Sequence, residues 1–66
     1  MTSKEKTNLY DRQSIRETSI KYMLGELGYE QAIRMIKTIS DRNSKTSELA
    51  TDTIKEVDRV NGMVAI

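Results

Sequence analysis

The apolar residues of this chain repeat at helical spacing, and the repeat changes phase once, at Gly28. Before that glycine, one apolar stripe advances in helical steps: Ile15, Ile20, Met23, Leu24 and Leu27. If the same helix continued, Gln31 and Arg34 would come next on the stripe, but both are polar, and the stripe restarts at Tyr29 instead. A phase break at a glycine is typical of a helix C-terminus, because glycine readily adopts the left-handed backbone conformation that ends many helices. We therefore predict that a first helix ends with Gly28 in that conformation and that a second helix starts at Tyr29.

Cap residues and turn formers predict the other helix boundaries. Asp11 is spaced as an N-cap, with Tyr10 and Ile15 at the two positions of a hydrophobic staple. The second helix should end at about Ser40 or Arg42, where the turn-rich stretch DRNSKTS begins, and the third at Asn61-Gly62. The predicted segments are a polar N-terminal stretch, three helices and an apolar tail: 1–10, 11–27, 29–42, 46–61 and 62–66. They predict one all-α domain, either a small three-helix bundle or a helical hairpin plus a third helix.

A chain of 66 residues builds only a small core, and this composition removes most ways of reinforcing one. Without cysteine there are no disulfides and no thiolate metal sites. Without histidine the chain lacks the commonest metal ligand, and no calcium-loop pattern of acidic residues occurs, so we expect no metal and no other cofactor. Self-association is the reinforcement that remains. The third helix has a wide apolar arc and the first has two apolar sides, so we predict a symmetric homodimer.

Catalysis and membrane insertion are both disfavoured by the sequence. Without His or Cys, an enzyme needs a carboxylate pair or a Ser–Lys pair in a pocket, which so small a bundle rarely encloses. We therefore predict neither an enzyme nor a binder of a small-molecule substrate. No apolar run approaches the roughly 18 residues of a membrane span, and the start MTSKEKTN lacks the apolar core of a signal peptide. We expect no membrane partner and a cytoplasmic location, in the host cytoplasm if a phage encodes the protein.

Arg16 is the informative exception on the apolar stripe. At 100° per residue it lies on the same line as Ile20. In one interpretation its stem covers the edge of the core and its charge stays in water. In the other, Arg16 and Arg12 form a basic contact for an acidic partner or a nucleic acid. Tyrosine and arginine are enriched at protein interfaces, so Tyr22 is a further candidate. The leading hypothesis is a small regulatory or adaptor protein, of the kind bacteria, plasmids and phages encode, that binds another protein through Arg12, Arg16 and Tyr22.

The alternative hypothesis is a small DNA- or RNA-binding regulator with a degenerate helix-turn-helix over residues 16–38. The stretch MLGELGY imitates the turn of that motif, with Leu24 where a small residue is expected. Residues 1–47 carry nine Lys/Arg against six Asp/Glu, a net charge of +3 that suits phosphate. Arg34 and Lys37 on the second helix are the candidate contacts. Their helix face also carries carboxylates, which repel phosphate.

The segment MTSKEKTNL, together with Ile15-Arg16, resembles the start of the Rop family of plasmid copy-number proteins. Proteins of that family are dimeric helical hairpins that bind paired RNA loops. The family's RNA-binding face on its first helix carries phenylalanine, lysine and amide side chains. The corresponding positions of this chain have other residues: Ser3, Tyr10, Ser14, Thr18 and Gly25. The glycine turn and the third helix also depart from two long helices, so RNA binding is not carried over.

Overall fold

The computed structural model describes the backbone of residues 3–64 and the side chains of residues 6–63. The elements are three α-helices and a short 3-10 turn: α1 (Ser3–Met23), α2 (Tyr29–Arg42), the 3-10 turn (Ser44–Thr46) and α3 (Ser47–Val64). No strand occurs in this part of the chain. Each α-helix packs against the other two, with α2 antiparallel to its two neighbours. The predicted all-α, three-helix fold is confirmed.

The core between the helices is small and partly polar. Its buried apolar residues come from all three helices: Ile15, Ala32, Ile36, Ile39, Ala50 and Val57. Three threonines are buried among them, and each hydroxyl donates a 2.7 Å hydrogen bond to a nearby backbone carbonyl: Thr18, Thr46 and Thr53. Because each hydroxyl is paired, its burial avoids the penalty of an unsatisfied polar group. These threonines nevertheless replace apolar volume, so the core contributes less hydrophobic stabilisation than an aliphatic one of equal size.

α1 buries a different side from the apolar stripe that the sequence emphasises. Asp11, Ile15 and Thr18 are buried and Tyr22 is half-buried, at steps of four, three and four residues. Ile20 lies about 140° around the helix from Ile15, at 3.6 residues per turn, and is 53% exposed. Of the two predicted apolar sides of this helix, the one through Ile15 and Tyr22 faces the core, and the one through Ile20 and Met23 lies in solvent.

Asp11 lies inside α1 and does not cap it, because the helix already begins at Ser3. Its side chain is only 1% exposed and accepts hydrogen bonds from the Arg42 guanidinium at 2.6 Å and the Asn43 amide at 3.1 Å. A buried carboxylate needs such partners, and both come from the far end of α2. The predicted N-cap at Asp11, and the staple between Tyr10 and Ile15, are therefore wrong.

The glycine that ends α1 is Gly25, not Gly28. α1 stops at Met23, and Gly25 has a φ of +81°, the left-handed conformation. The Gly25 N–H donates to the Tyr22 carbonyl at 3.0 Å, and the Glu26 N–H donates to the Lys21 carbonyl at 2.9 Å. These two bonds form a Schellman motif, which satisfies carbonyls that the helix end would otherwise leave free.

Gly28 begins α2. Its φ of −75° and ψ of 162° are extended and suit any residue, so the predicted left-handed Gly28 is wrong. The Gly28 N–H donates to the Gln31 side-chain oxygen at 3.1 Å, which is one half of a capping box. The predicted bounds of α2, 29–42, agree with the structure.

α3 is longer than predicted, because it continues through Asn61 and Gly62 to Val64. The Asn61 side chain does not cap the helix; it accepts a 3.2 Å hydrogen bond from the Tyr22 hydroxyl. The half-buried Leu49 and Ile54 pack on the core. The rest of the predicted apolar tail, residues 65–66, lies outside the described residues, as does the Val64 side chain.

Candidate protein-binding face

The side of α1 that points away from the core carries apolar and basic side chains on one line. We call this set the outer face of α1: Leu9, Arg12, Arg16, Ile20 and Met23. Leu9 is 51% exposed and Met23 is 49% exposed. Leu9, Arg16 and Met23 are each seven residues apart, and Ile20 is four from Arg16. Spacing of three, four and seven residues is what a helix uses to contact another helix.

Arg16 is exposed, and no carboxylate stands three or four residues from it along α1. Among the side chains of residues 6–63 it makes no ion pair. Arg12 is half-buried and borders an open cleft of about 270 Å³ together with the cation Lys45 and the carboxylates of Glu48 and Asp52. Neither carboxylate lies within ion-pair distance of Arg12, although both reduce the local positive potential. Arg16 is thus the freer of the two charges.

The exposed side of α1 is strongly basic. Between residues 6 and 21 it carries four cations, the two arginines together with Lys6 and Lys21. The one exposed carboxylate in that range is Glu17, which accepts a 3.1 Å hydrogen bond from the Gln13 amide. Asp11 is buried and paired with Arg42, so the four cations face one anion, a net charge of +3. This excess of cations around the exposed side of the helix attracts anionic partners, and two of the four, Arg12 and Arg16, belong to the outer face.

Tyr22 lies on the Ile15 side of α1, away from the two arginines. Its hydroxyl donates to Asn61, and its ring packs edge-to-face on Tyr29 with 6.3 Å between ring centroids. The Tyr29 hydroxyl donates in turn to the Asp58 carboxylate, and this hydrogen bond raises the pKa of Tyr29 above 10.0. The contacts of Tyr22 are internal, and the structure does not bring it together with Arg12 and Arg16.

Arg34 and Lys37 are both exposed on α2. Glu30 and Asp41 lie on the same side of that helix, and the shallow surface around all four is lined by α2 residues alone. A nucleic acid laid on this surface would meet carboxylates as well as cations. Arg34 and Lys37 therefore lie with two carboxylates on an exposed face of mixed charge, which is separate from the outer face of α1.

Leu9 on the outer face and Leu24 just after the end of α1 are exposed apolar residues that were not among the predicted partner contacts. Leu9 falls in the predicted polar segment 1–10, and Leu24 lies on the predicted apolar stripe of the first helix. The signal for Leu9 was present in the sequence as its seven-residue spacing from Arg16. Which side of α1 would stay exposed was not, since that depends on the packing of α2 and α3.

No family model, curated protein or solved structure matches this chain. Within the described residues, no three acidic side chains are grouped as a metal ion requires. Among the helices of residues 3–64, none is both long and apolar enough to cross a membrane.

Proposed function

We propose that this protein is a small regulatory or adaptor protein that acts by binding another protein through the outer face of α1. The observation that carries the proposal is the half-exposed line of Leu9, Ile20 and Met23, interrupted by Arg12 and Arg16. Single exposed apolar residues are ordinary, but an aligned set on one helix is a feature of interaction sites. Arginine and methionine are also enriched where proteins bind proteins. We place this activity in the cytoplasm of a bacterium, or of a phage host.

The size of the outer face suits a helix-sized contact. From Leu9 to Met23 the helix rises about 21 Å, at 1.5 Å per residue. Full burial of an aliphatic side chain contributes about 1.5–3 kcal/mol, and these side chains are already half-buried. Each one therefore adds about 1 kcal/mol on binding.

A photo-crosslinking residue in place of Ile20 tests the proposal in the cells that produce the protein. We expect a protein adduct at position 20 that Arg16→Glu reduces. The matched control is the same crosslinker in place of Met35, which is 43% exposed on α2. Equal adducts at both positions, or adducts to nucleic acid alone, would contradict protein binding by α1.

The exposed Arg34 and Lys37 make nucleic-acid binding the second candidate function. Binding of a labelled DNA duplex, measured by fluorescence anisotropy across a salt series, distinguishes nucleic-acid binding from protein binding. A phosphate-binding protein loses affinity steeply as salt rises, and Arg34→Ala with Lys37→Ala should then abolish binding. A protein-binding module shows little duplex binding at any salt concentration.

We also propose that the chain forms a symmetric homodimer. The accessible surface is 4897 Å², whereas a compact monomer of this mass exposes about 4,300 Å². Leu24 and Met63, 71% and 65% exposed, lie at the end of the bundle where α1 and α3 both terminate. Burial of this end against a second copy would remove apolar surface from water.

The melting temperature of a dimer rises with protein concentration, and Leu24→Glu should remove that dependence. Sedimentation of a 7.6 kDa species at high micromolar concentration would exclude the dimer and leave protein binding by α1 unaffected.

A further inference from the structure

We infer that the partner of the outer face of α1 is a helical protein segment with acidic side chains between two apolar residues three turns apart. This inference rests on the proposed protein-binding function and names the chemistry of the partner.

The spacing of the apolar residues sets the pattern that the partner must match. Leu9 and Ile20 are eleven residues apart, which is about 16 Å along the helix and about 20° around it. On the line between them lie Gln13 and Arg16, with no apolar side chain. A helix laid along α1 therefore meets an apolar contact, then a polar stretch, then a second apolar contact that Met23 extends.

The charges between the two apolar contacts select an acidic partner. Arg16 has no ion-pair partner among the described side chains, and the outer face itself carries two cations, Arg12 and Arg16, and no carboxylate. A neutral partner would cover Arg16 without pairing it, and an unpaired covered charge is costly. A carboxylate satisfies the guanidinium through charge-assisted hydrogen bonds, two of them in the bidentate geometry.

A second copy of the chain fits this face poorly. A two-fold pairing of α1 with itself, centred on this face, places Arg16 against Arg16 of the other copy, where like charges repel. The exposed side of α3 carries both signs of charge and does not supply the two apolar contacts, since Met63 is the one large exposed apolar side chain of α3 among the described residues. The homodimer proposed above uses the end of the bundle and leaves this face free.

Membranes and nucleic acids also fit less well than an acidic helix. A helix that lies in a bilayer surface needs a continuous apolar face, and Gln13 and Arg16 interrupt this one. A phosphate backbone pairs with the cations but leaves Leu9 and Ile20 without apolar contacts.

A selection from displayed helical peptides tests the inference without naming the partner in advance. The full chain is immobilised and offered random-surface peptides about five turns long. We expect selected peptides to be acidic, to carry two aliphatic residues eleven positions apart, and to lose affinity about tenfold when their Glu residues become Gln. Against the variant carrying Arg12→Glu and Arg16→Glu, selection should turn to Lys/Arg-rich peptides.

Arg12 lies near Glu48 and Asp52, so Arg16→Glu alone is the second variant, in case the double variant fails to fold. Lys55→Glu, an exposed charge reversal on α3, is the matched control and should not change the selected sequences.

Three results would overturn this inference, and they differ in what they imply for the proposed function. Neutral or basic peptides whose binding is lost on Ile20→Lys would overturn the acidic partner and leave protein binding by α1 standing. If no peptide is enriched on the parent protein relative to immobilised Ile20→Lys, both the acidic partner and protein binding by α1 are contradicted. Displacement of an acidic peptide by phosphatidylglycerol vesicles or a DNA duplex at physiological salt would also overturn the acidic partner.

Discussion

Gly25 and Gly28 lie three residues apart, and replacement with alanine should destabilise the fold at Gly25 and change its stability little at Gly28. Gly25 has a φ of +81°, where an L-residue is strained by contact of its Cβ with its own backbone. No atom outside the neighbouring residues lies within 4 Å of the added Cβ, so the cost is conformational rather than steric crowding. We expect Gly25→Ala to lower the free energy of unfolding by about 1 kcal/mol.

Gly28 has an extended backbone that alanine adopts freely, and its added Cβ meets the Gln31 side-chain oxygen at an ordinary 3.6 Å. Alanine is a poorer N-cap than glycine but also restricts the unfolded chain, and the two effects oppose each other. We expect Gly28→Ala to change the free energy of unfolding by less than about 0.5 kcal/mol.

Urea unfolding followed by far-UV circular dichroism measures both variants, at one protein concentration because association shifts apparent stability. In a thermal melt, a loss of 1 kcal/mol lowers the midpoint by about 4–8 °C for a domain of this size. Chemical synthesis of the chain with D-alanine at position 25 is the sharpest control, because a D-residue favours positive φ and should restore or exceed the parent stability. The assignment of the turn fails if Gly28→Ala is the more damaging change, or if D- and L-alanine at position 25 are equivalent.

Three further predictions concern the core margin and the outer face. Asp11→Asn should lower the free energy of unfolding by about 2 kcal/mol, because it weakens a charge-assisted hydrogen bond whose arginine partner is 58% exposed and so partly screened by water. The control, Asp41→Asn at an exposed position, should change that free energy little in the same urea titration. The pKa of Tyr29 is raised by donation to Asp58, so its hydrogen bond is fully present below pH 10.0 and is lost as the pH rises through the higher folded pKa. Ring NMR should show Tyr29 ionising above 10.0, and Asp58→Asn should move that titration back towards 10.0; an unchanged titration contradicts the pairing. Ile20→Lys should leave the free energy of unfolding within about 0.5 kcal/mol of the parent, and a large loss would show that the outer face is packed inside the folded state.

The sequence by itself determined the number of helices and the bounds of α2. The apolar phase changes between Leu27 and Tyr29, and DRNSKTS is rich in turn formers, so both ends of α2 follow from local patterns. The same periodicity put Arg16 on one line with Ile20, which is the central geometric fact of the candidate site. Helical spacing is a property of neighbouring residues, so it can be read without knowing the fold.

Only the tertiary structure decided which side of α1 faces the core. α1 has two apolar sides, one through Ile15 and one through Ile20, and local spacing does not rank them. The Ile15 side is buried because it also carries Asp11 and Tyr22, whose hydrogen-bond partners come from the end of α2 and from α3. Those partners are more than thirty residues away in sequence, so no local sequence pattern predicts them. Burial of that side leaves Ile20 and Arg16 in solvent. The candidate binding face is therefore exposed because α2 and α3 pack against the opposite side of α1.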